Sequence, residues 1–229
     1  MGWDRNTGSG RSRPRGFGSG RRPFVRPPDD PPGTSRLFVA VPVADDVRAS
    51  VGELMGAVAG GPIEERLPGQ PRWVRVDGLH LTVRFLGATP DERQPELSAA
   101  LAATTRDVAP FRVVLTGGGA FPNPVRPRVL WIGIGEGADQ LANLARRLDE
   151  ELRPLGWPPE GRPFEPHLTL ARTDGVPGAD ERARRLADLA GGVRLTWQAD
   201  RLVLYRSVLG RGPARYEAVA EAPIRERGT

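Results

Sequence analysis

Gly-Leu-His-Leu-Thr-Val-Arg-Phe, residues 78–85, and Glu-Pro-His-Leu-Thr-Leu-Ala-Arg, residues 165–172, hold the only two histidines of this 229-residue chain. Both histidines stand in the tripeptide His-Leu-Thr, so one short pattern occurs twice. In a strand, side chains two apart share a face. His80 and Thr82 are therefore expected to project together, with Leu81, Val83 and Phe85 buried behind them, and His167 with Thr169, backed by Leu168 and Leu170. Each copy would present one imidazole and one hydroxyl on a rigid element, which is a good platform for a site. A lone strand histidine is more often a packing or surface residue; the repetition lifts this pair above that reading.

Outward from the two motifs the same order of elements repeats. Arg36–Val43 reads as a strand closed by proline, and Val47, Val51, Leu54, Met55 and Val58 fall at helical spacing. Arg72–Val76 and Leu79–Leu86 are strand-like. Thr89-Pro90-Asp91 has the hydroxyl and proline of a helix start, and that helix runs through Leu97 and Leu101. Phe111, Val113 and Leu115 alternate before a turn expected at Gly117–Gly119. Then Arg128–Ile134 reads as a strand, Leu141, Leu144, Leu148 and Leu152 as a helix ending near Gly156, Pro166–Ala171 as a strand, Ala179–Leu189 as a helix and Val193–Trp197 as a strand. Arg201–Ser207 and Arg215–Ala222 add two more strands. The self-similarity predicts two copies of one α/β unit related by a pseudo-two-fold axis, with equivalent residues facing across a cleft. The fold class expected is α+β: bilobal, mostly antiparallel sheets with helices outside.

Composition limits the chemistry. The chain has no cysteine, which excludes disulfides, thiolate metal sites and a cysteine nucleophile. Every one of its 33 basic residues is arginine, a bias that weakens any argument from arginine count. Residues 1–34, rich in Gly, Pro, Ser and Arg, are expected to be a disordered tail, either a solvated extension or the product of an early start codon; 35–229 is expected to form the functional domain. No run approaches the ~18 apolar residues of a membrane helix, and no signal-peptide core is visible, so a soluble, cytoplasmic protein is expected.

Two imidazoles suit phosphoryl hydrolysis without a metal, since one takes a proton from water while the other protonates the leaving oxygen. Their ordinary pKa near 6.5 lets both protonation states coexist at neutral pH. Thr82 and Thr169 can donate hydrogen bonds to phosphate oxygens, and Arg172 or Arg84 can hold developing charge. Neither a metal nor a cofactor is expected. No His-Glu-x-x-His pattern, Gly-x-Ser-x-Gly elbow or Walker loop occurs.

Taken in order, Arg-Leu-Phe-Val-Ala-Val (36–41), Trp-Val (73–74), the two His-Leu-Thr strands, Arg-Val-Leu-Trp-Ile-Gly (128–133) and Tyr216 resemble the two-histidine phosphoesterases. Within them the likeness is to the RNA 2′,3′-cyclic phosphodiesterases, also called 2′-5′ RNA ligases. The resemblance covers most of 36–222 and implies metal-independent opening of a 2′,3′-cyclic phosphate end of RNA to a 2′-phosphate. His80 would be the general acid and His167 the general base, in roles that the pseudo-symmetry allows to be exchanged. Thr82, Thr169, Arg172 and Arg84 would hold substrate, and Phe38, or Trp73, would stack on a base. A 2′-5′ ligase or related phosphodiester activity, and a non-catalytic RNA-binding module, are the alternatives. No membrane and no obligatory protein partner is implied.

Overall fold

The computed structural model describes residues 31–63, 69–208 and 213–225; most of the tail expected at 1–34 lies outside them. Nine strands and four α-helices follow the chain as β1 (Thr34–Pro42), α1 (Asp45–Ala59), β2 (Arg72–Trp73), β3 (His80–Pro90), α2 (Gln94–Thr105), β4 (Phe111–Phe121), β5 (Val129–Ile134), α3 (Ala138–Leu152), β6 (His167–Arg172), α4 (Ala179–Ala190), β7 (Leu195–Ala199), β8 (Arg201–Val208) and β9 (Arg215–Pro223).

Local chemistry accounts for the elements. β1 is an almost continuous apolar run and is buried along nearly its whole length, as expected of an interior strand. Asp45 and Asp46 occupy the first turn of α1, where carboxylates suit the helix dipole. Val47, Val51, Met55 and Val58 form its buried face, and Gly60, at φ 77°, ends it with an N–H bond to the Gly56 carbonyl. In α3 the buried stripe is Leu141, Leu144, Leu148 and Leu152.

The strands form two antiparallel sheets, β3-β1-β8-β9 and β2-β6-β5-β4-β7. The sequence repeat is therefore real but interlaced. β1 and β3 of the first half build one lobe with β8 and β9 from the end of the chain. The second lobe takes β5, β6 and β7 and borrows β2 and β4 from the first half. The hairpin joining β4 to β5 makes this exchange obligatory, because β5 pairs with both β4 and β6. Helix α2 lies on β8 and β9, α4 on β4, and the helices also pack α1 against α4 and α2 against α3. One continuous apolar cluster runs through both lobes. The bilobal α+β architecture expected from the repeat is what the chain adopts.

Three local expectations are corrected. The glycines at 117–119 do not turn the chain: β4 continues to Phe121, and the reversal falls at 122–128. A Cβ on Gly118 would lie 2.7 Å from Leu186 Cγ, and one on Gly119 would lie 2.4 Å from the Trp131 ring. The glycines thus admit α4 and the indole to the strand, a packing role that composition does not distinguish from a turn. Thr89 does not cap a helix; its hydroxyl bonds the Gly87 carbonyl, β3 runs to Pro90, and α2 starts only at Gln94 after one 3₁₀ turn. The strand expected at Arg72–Val76 stops at Trp73, and Val76–Gly78 is a 3₁₀ turn.

Candidate active site

β3 and β6, the two histidine strands, approach each other where the lobes meet. Both depart from strict alternation in the same way. Ala40 pairs with Thr82 and Val39 with Arg84, so Val83 is an extra residue; Trp131 pairs with Thr169 and Leu130 with Ala171, so Leu170 is extra. A bulge inserts one residue and flips the facing of the residues beyond it. The face that begins at His80 and Thr82 therefore continues with Phe85, not Arg84, and the face that begins at His167 and Thr169 continues with Arg172. A second irregularity follows at Leu86, after which Gly87, at the rim of the cleft, pairs with Leu37.

A cleft of about 330 Å³ obeys these facings. His80, Thr82, Phe85 and Gly87 line it from β3, Thr169 and Arg172 from β6, Phe38 from β1 and Tyr216 from β9. Its volume falls at the lower end of the ~300–1,000 Å³ usual for small-molecule sites. His167 shares the Thr169 side of β6 but stands outside the cavity lining, its ring edge-on to Phe121 at 5.0 Å.

The two imidazoles are held alike. Nδ1 of His80 donates to the Gly78 carbonyl and Nδ1 of His167 to the Glu165 carbonyl, each at 2.7 Å and each to the residue two before. A carbonyl only accepts, so both rings carry hydrogen on Nδ1 and leave Nε2 for chemistry. Their surroundings differ. His80 is packed among Phe38 at 4.8 Å, Tyr216 at 4.9 Å and Tyr205 at 6.1 Å between ring centroids. Desolvation in this cage lowers its pKa from the ordinary 6.5 to about 4, with the Gly78 carbonyl pulling the other way. Gly78 is what lets Tyr216 in: a Cβ there would come within 3.1 Å of the ring. Burial raises the Tyr216 phenol above its usual range, against a smaller opposing effect of Arg172 on the other lobe. The phenol is therefore a neutral donor near neutral pH.

The sequence model of the 2′-5′ RNA ligase superfamily matches residues 46–211. The chain belongs to that superfamily. Among individual proteins, it is 36% identical to the RNA 2′,3′-cyclic phosphodiesterase of Thermus thermophilus over 78% of this chain and 85% of that one. It is 32% identical to the enzyme of the same name from Aeropyrum pernix, over 68% of this chain and 87% of the relative. A longer namesake from Geobacillus stearothermophilus is also 32% identical, over 83% of this chain, but the match spans only 57% of that protein. Among solved structures, a protein of Thermus thermophilus superposes with TM-score 0.66 at 30% identity, covering 84% of this chain and 100% of that one. Escherichia coli LigT complexed with 3′-AMP superposes at 0.61 and 25% identity, covering 83% and 98%.

Within this member of the superfamily the cleft gathers most of the residues singled out in the sequence: His80, Thr82, Thr169, Arg172 and Phe38, with Tyr216 beside them. Arg172 is exposed and has no hydrogen-bond or ion-pair partner among the described residues, so its guanidinium is free to meet an anion. Arg84 is a correction. It is 7% exposed and points to the outer side of β3, where its guanidinium meets Asp149 at 3.0 Å, Glu160 at 2.9 Å and the Pro158 carbonyl. The alternation that aimed it at the cleft ends at the Val83 bulge. Phe38 reaches the cavity but is 3% exposed, enclosed by His80, Phe85, Tyr205 and Tyr216; it supports the histidine instead of offering a free face. Trp73 is a core residue, 8% exposed. Phe85, expected behind the strand, is 58% exposed on the cleft side. It was missed because strict alternation assigns odd offsets from His80 to the core. Among the described residues no three His, Asp or Glu side chains converge to hold a metal, and no helix is long and apolar enough to cross a membrane.

Proposed function

We propose that this chain hydrolyses 2′,3′-cyclic phosphate ends of RNA to 2′-phosphomonoesters by paired-histidine acid–base catalysis. The observation that carries the reading is the convergence of His80, Thr82, Thr169 and Arg172 on one cleft between repeated strands, with both imidazoles presenting Nε2. The name shared by the bacterial and archaeal relatives supports the same substrate. The anionic oxygens of the cyclic phosphate would accept hydrogen bonds from Thr82, Thr169 and Arg172. Water attacks phosphorus in line with the 3′ oxygen and gives a proton to Nε2 of His167. The phosphorus–O3′ bond breaks, and O3′ takes the proton from Nε2 of His80. Each oriented acid or base contributes typically about 10²–10⁴-fold, and the cluster of donors stabilises the extra charge on the phosphoryl oxygens.

One observation favours exchanged roles. A ring whose pKa is held at about 4 is neutral in the resting protein, ready to act as base. As acid, His80 must first take up a proton from solvent, which the field of the bound anion favours. A substrate with sulfur in place of the leaving 3′ oxygen separates the two assignments, because a thiolate leaves without protonation. His80→Ala regains activity on it if His80 is the acid, and His167→Ala does so if the roles are exchanged.

The reading is tested by incubating purified protein with 2′,3′-cyclic nucleotides in EDTA and assigning the product by ³¹P NMR. A 2′-phosphate formed at an unchanged rate is expected. Binding without turnover would leave an RNA-binding module, and conversion only of 2′-5′ ends would leave the ligase alternative.

A further inference from the structure

Tyr216, at the start of β9, lines the cleft beside His80, Thr82, Thr169 and Arg172, yet neither the packing of the cage nor the steps of hydrolysis uses its hydroxyl. The ring is held edge-on to His80 at 4.9 Å and to Phe38 at 5.1 Å between centroids. It also lies against Gly78, where a Cβ would come within 3.1 Å of Cδ2 and 3.2 Å of Cε2. Phenylalanine would supply every one of these contacts. The hydroxyl is what needs a reason, because a phenol drawn away from water normally finds a hydrogen-bond partner. This one has none among the described residues. Tyr205, the chain's other tyrosine, stacks on Phe38 and stands outside the cavity lining.

The space that the phenol faces has one chemical character. Hydroxyls of Thr82, Thr169 and Ser207 and the guanidinium of Arg172 line it, and among the described residues no carboxylate does. Donors therefore converge on a cavity whose side chains offer no anionic acceptor. Arg172 approaches from the other lobe, near enough to oppose the effect of burial on the phenol. An anion seated between the lobes is thus within the reach of a guanidinium on one side and a phenol on the other. We propose that Tyr216 is a further catalytic residue, whose hydroxyl donates a hydrogen bond to the phosphoryl group that Arg172 holds from the opposite lobe. This deepens the cyclic phosphate reading and rests on it. The phenol keeps its proton throughout; it stabilises the charge that gathers on the phosphoryl oxygens as water adds.

Tyr216→Phe tests this, since it keeps the ring and removes only the hydroxyl. On a 2′,3′-cyclic nucleotide, kcat/KM is expected to fall by about 10- to 150-fold, the loss typical of a hydrogen bond to a charged group. The dissociation constant for inorganic phosphate, measured by calorimetry, should rise by at least about tenfold. In an Arg172→Ala background the same substitution should cost at least about twofold less, as for two donors in one network. The acid limb of urea stability, which reports the ring around His80, should not move. The proposal is overturned if Tyr216→Phe retains kcat/KM or phosphate affinity, or if its effect and that of Arg172→Ala simply multiply. It is also overturned if the loss comes with a shifted acid limb, because the residue would then act through the His80 cage. Absence of cyclic phosphate hydrolysis by the unaltered protein would strike the catalytic reading alone, and the phosphate dissociation constants would still decide whether Tyr216 holds the anion.

Discussion

Removing the imidazole of His80 should flatten the acid limb of the protein's stability curve. In the folded chain its pKa is about 4 instead of 6.5, chiefly because Phe38, Tyr205 and Tyr216 exclude water from the ring. A lowered histidine pKa means that the unfolded chain binds the proton first as pH falls. The folded state carries no penalty above about pH 6.5, loses stability progressively from there toward pH 4, and changes no further through this group below that. At about 1.36 kcal/mol per unit, the loss between neutral pH and about pH 4.5 is about 2.5 kcal/mol. His80→Gln, which cannot titrate, should lack this component. Urea unfolding of both proteins at steps from about pH 7.5 to about pH 4.5 measures the difference between their curves, so that acid effects of shared carboxylates cancel. Curves that stay parallel across that window would refute the cage as the cause. Ligand binding obeys the same linkage: an anion beside the ring favours imidazolium, so inorganic phosphate should bind with proton uptake between about pH 4 and neutrality.

His80→Ala and His167→Ala are each expected to lose at least about a hundredfold in kcat on a 2′,3′-cyclic nucleotide while circular dichroism remains that of the folded chain. Arg172→Ala, which removes a charge-assisted donor worth roughly 1.5–3 kcal/mol, should lower kcat/KM by about 10- to 150-fold, and Arg172→Lys should recover only part of it because the guanidinium fork is lost. Arg84→Met should instead act on stability. It leaves the partly exposed Asp149 and Glu160 without their shared cation and the Pro158 carbonyl without its donor, at a cost of about 1–3 kcal/mol; thermal melts should fall, whereas kinetic constants of the protein that remains folded change little.

The repeat could be read from the sequence because it lies in side-chain order. Two identical tripeptides, apolar runs at strand spacing and leucines at helical spacing are local signals, and each marked a real element. The exchange of strands between lobes was not readable, since β4 and β8 look alike as sequences and differ only in the partner each finds. The glycines of β4 were misread for a related reason. Glycine marks either a turn or a close approach, and only the positions of Leu186 and Trp131 decide between them. The cage around His80 was equally hidden, because Phe38 on β1 and Tyr205 and Tyr216 on the β8–β9 pair all lie far from His80 in the chain.

The bulges present a different case, for their signature was in the sequence. Arg172 stands five residues after His167, an odd offset that an unbroken strand would place on the opposite face. To accept Arg172 as a phosphate ligand already requires an extra residue between Thr169 and Arg172. The repeat then demands the same insertion after Thr82, which removes Arg84 from the cleft and brings Phe85 into it. Consecutive burial of Val83 and Arg84, and of Leu170 and Ala171, is the mark of those insertions in the fold. The two lobes thus share one backbone irregularity and differ in the side chain it turns outward. On one side it turns out an apolar ring, on the other a cation. A common bulge in two like strands thus gives the cleft two chemically different walls.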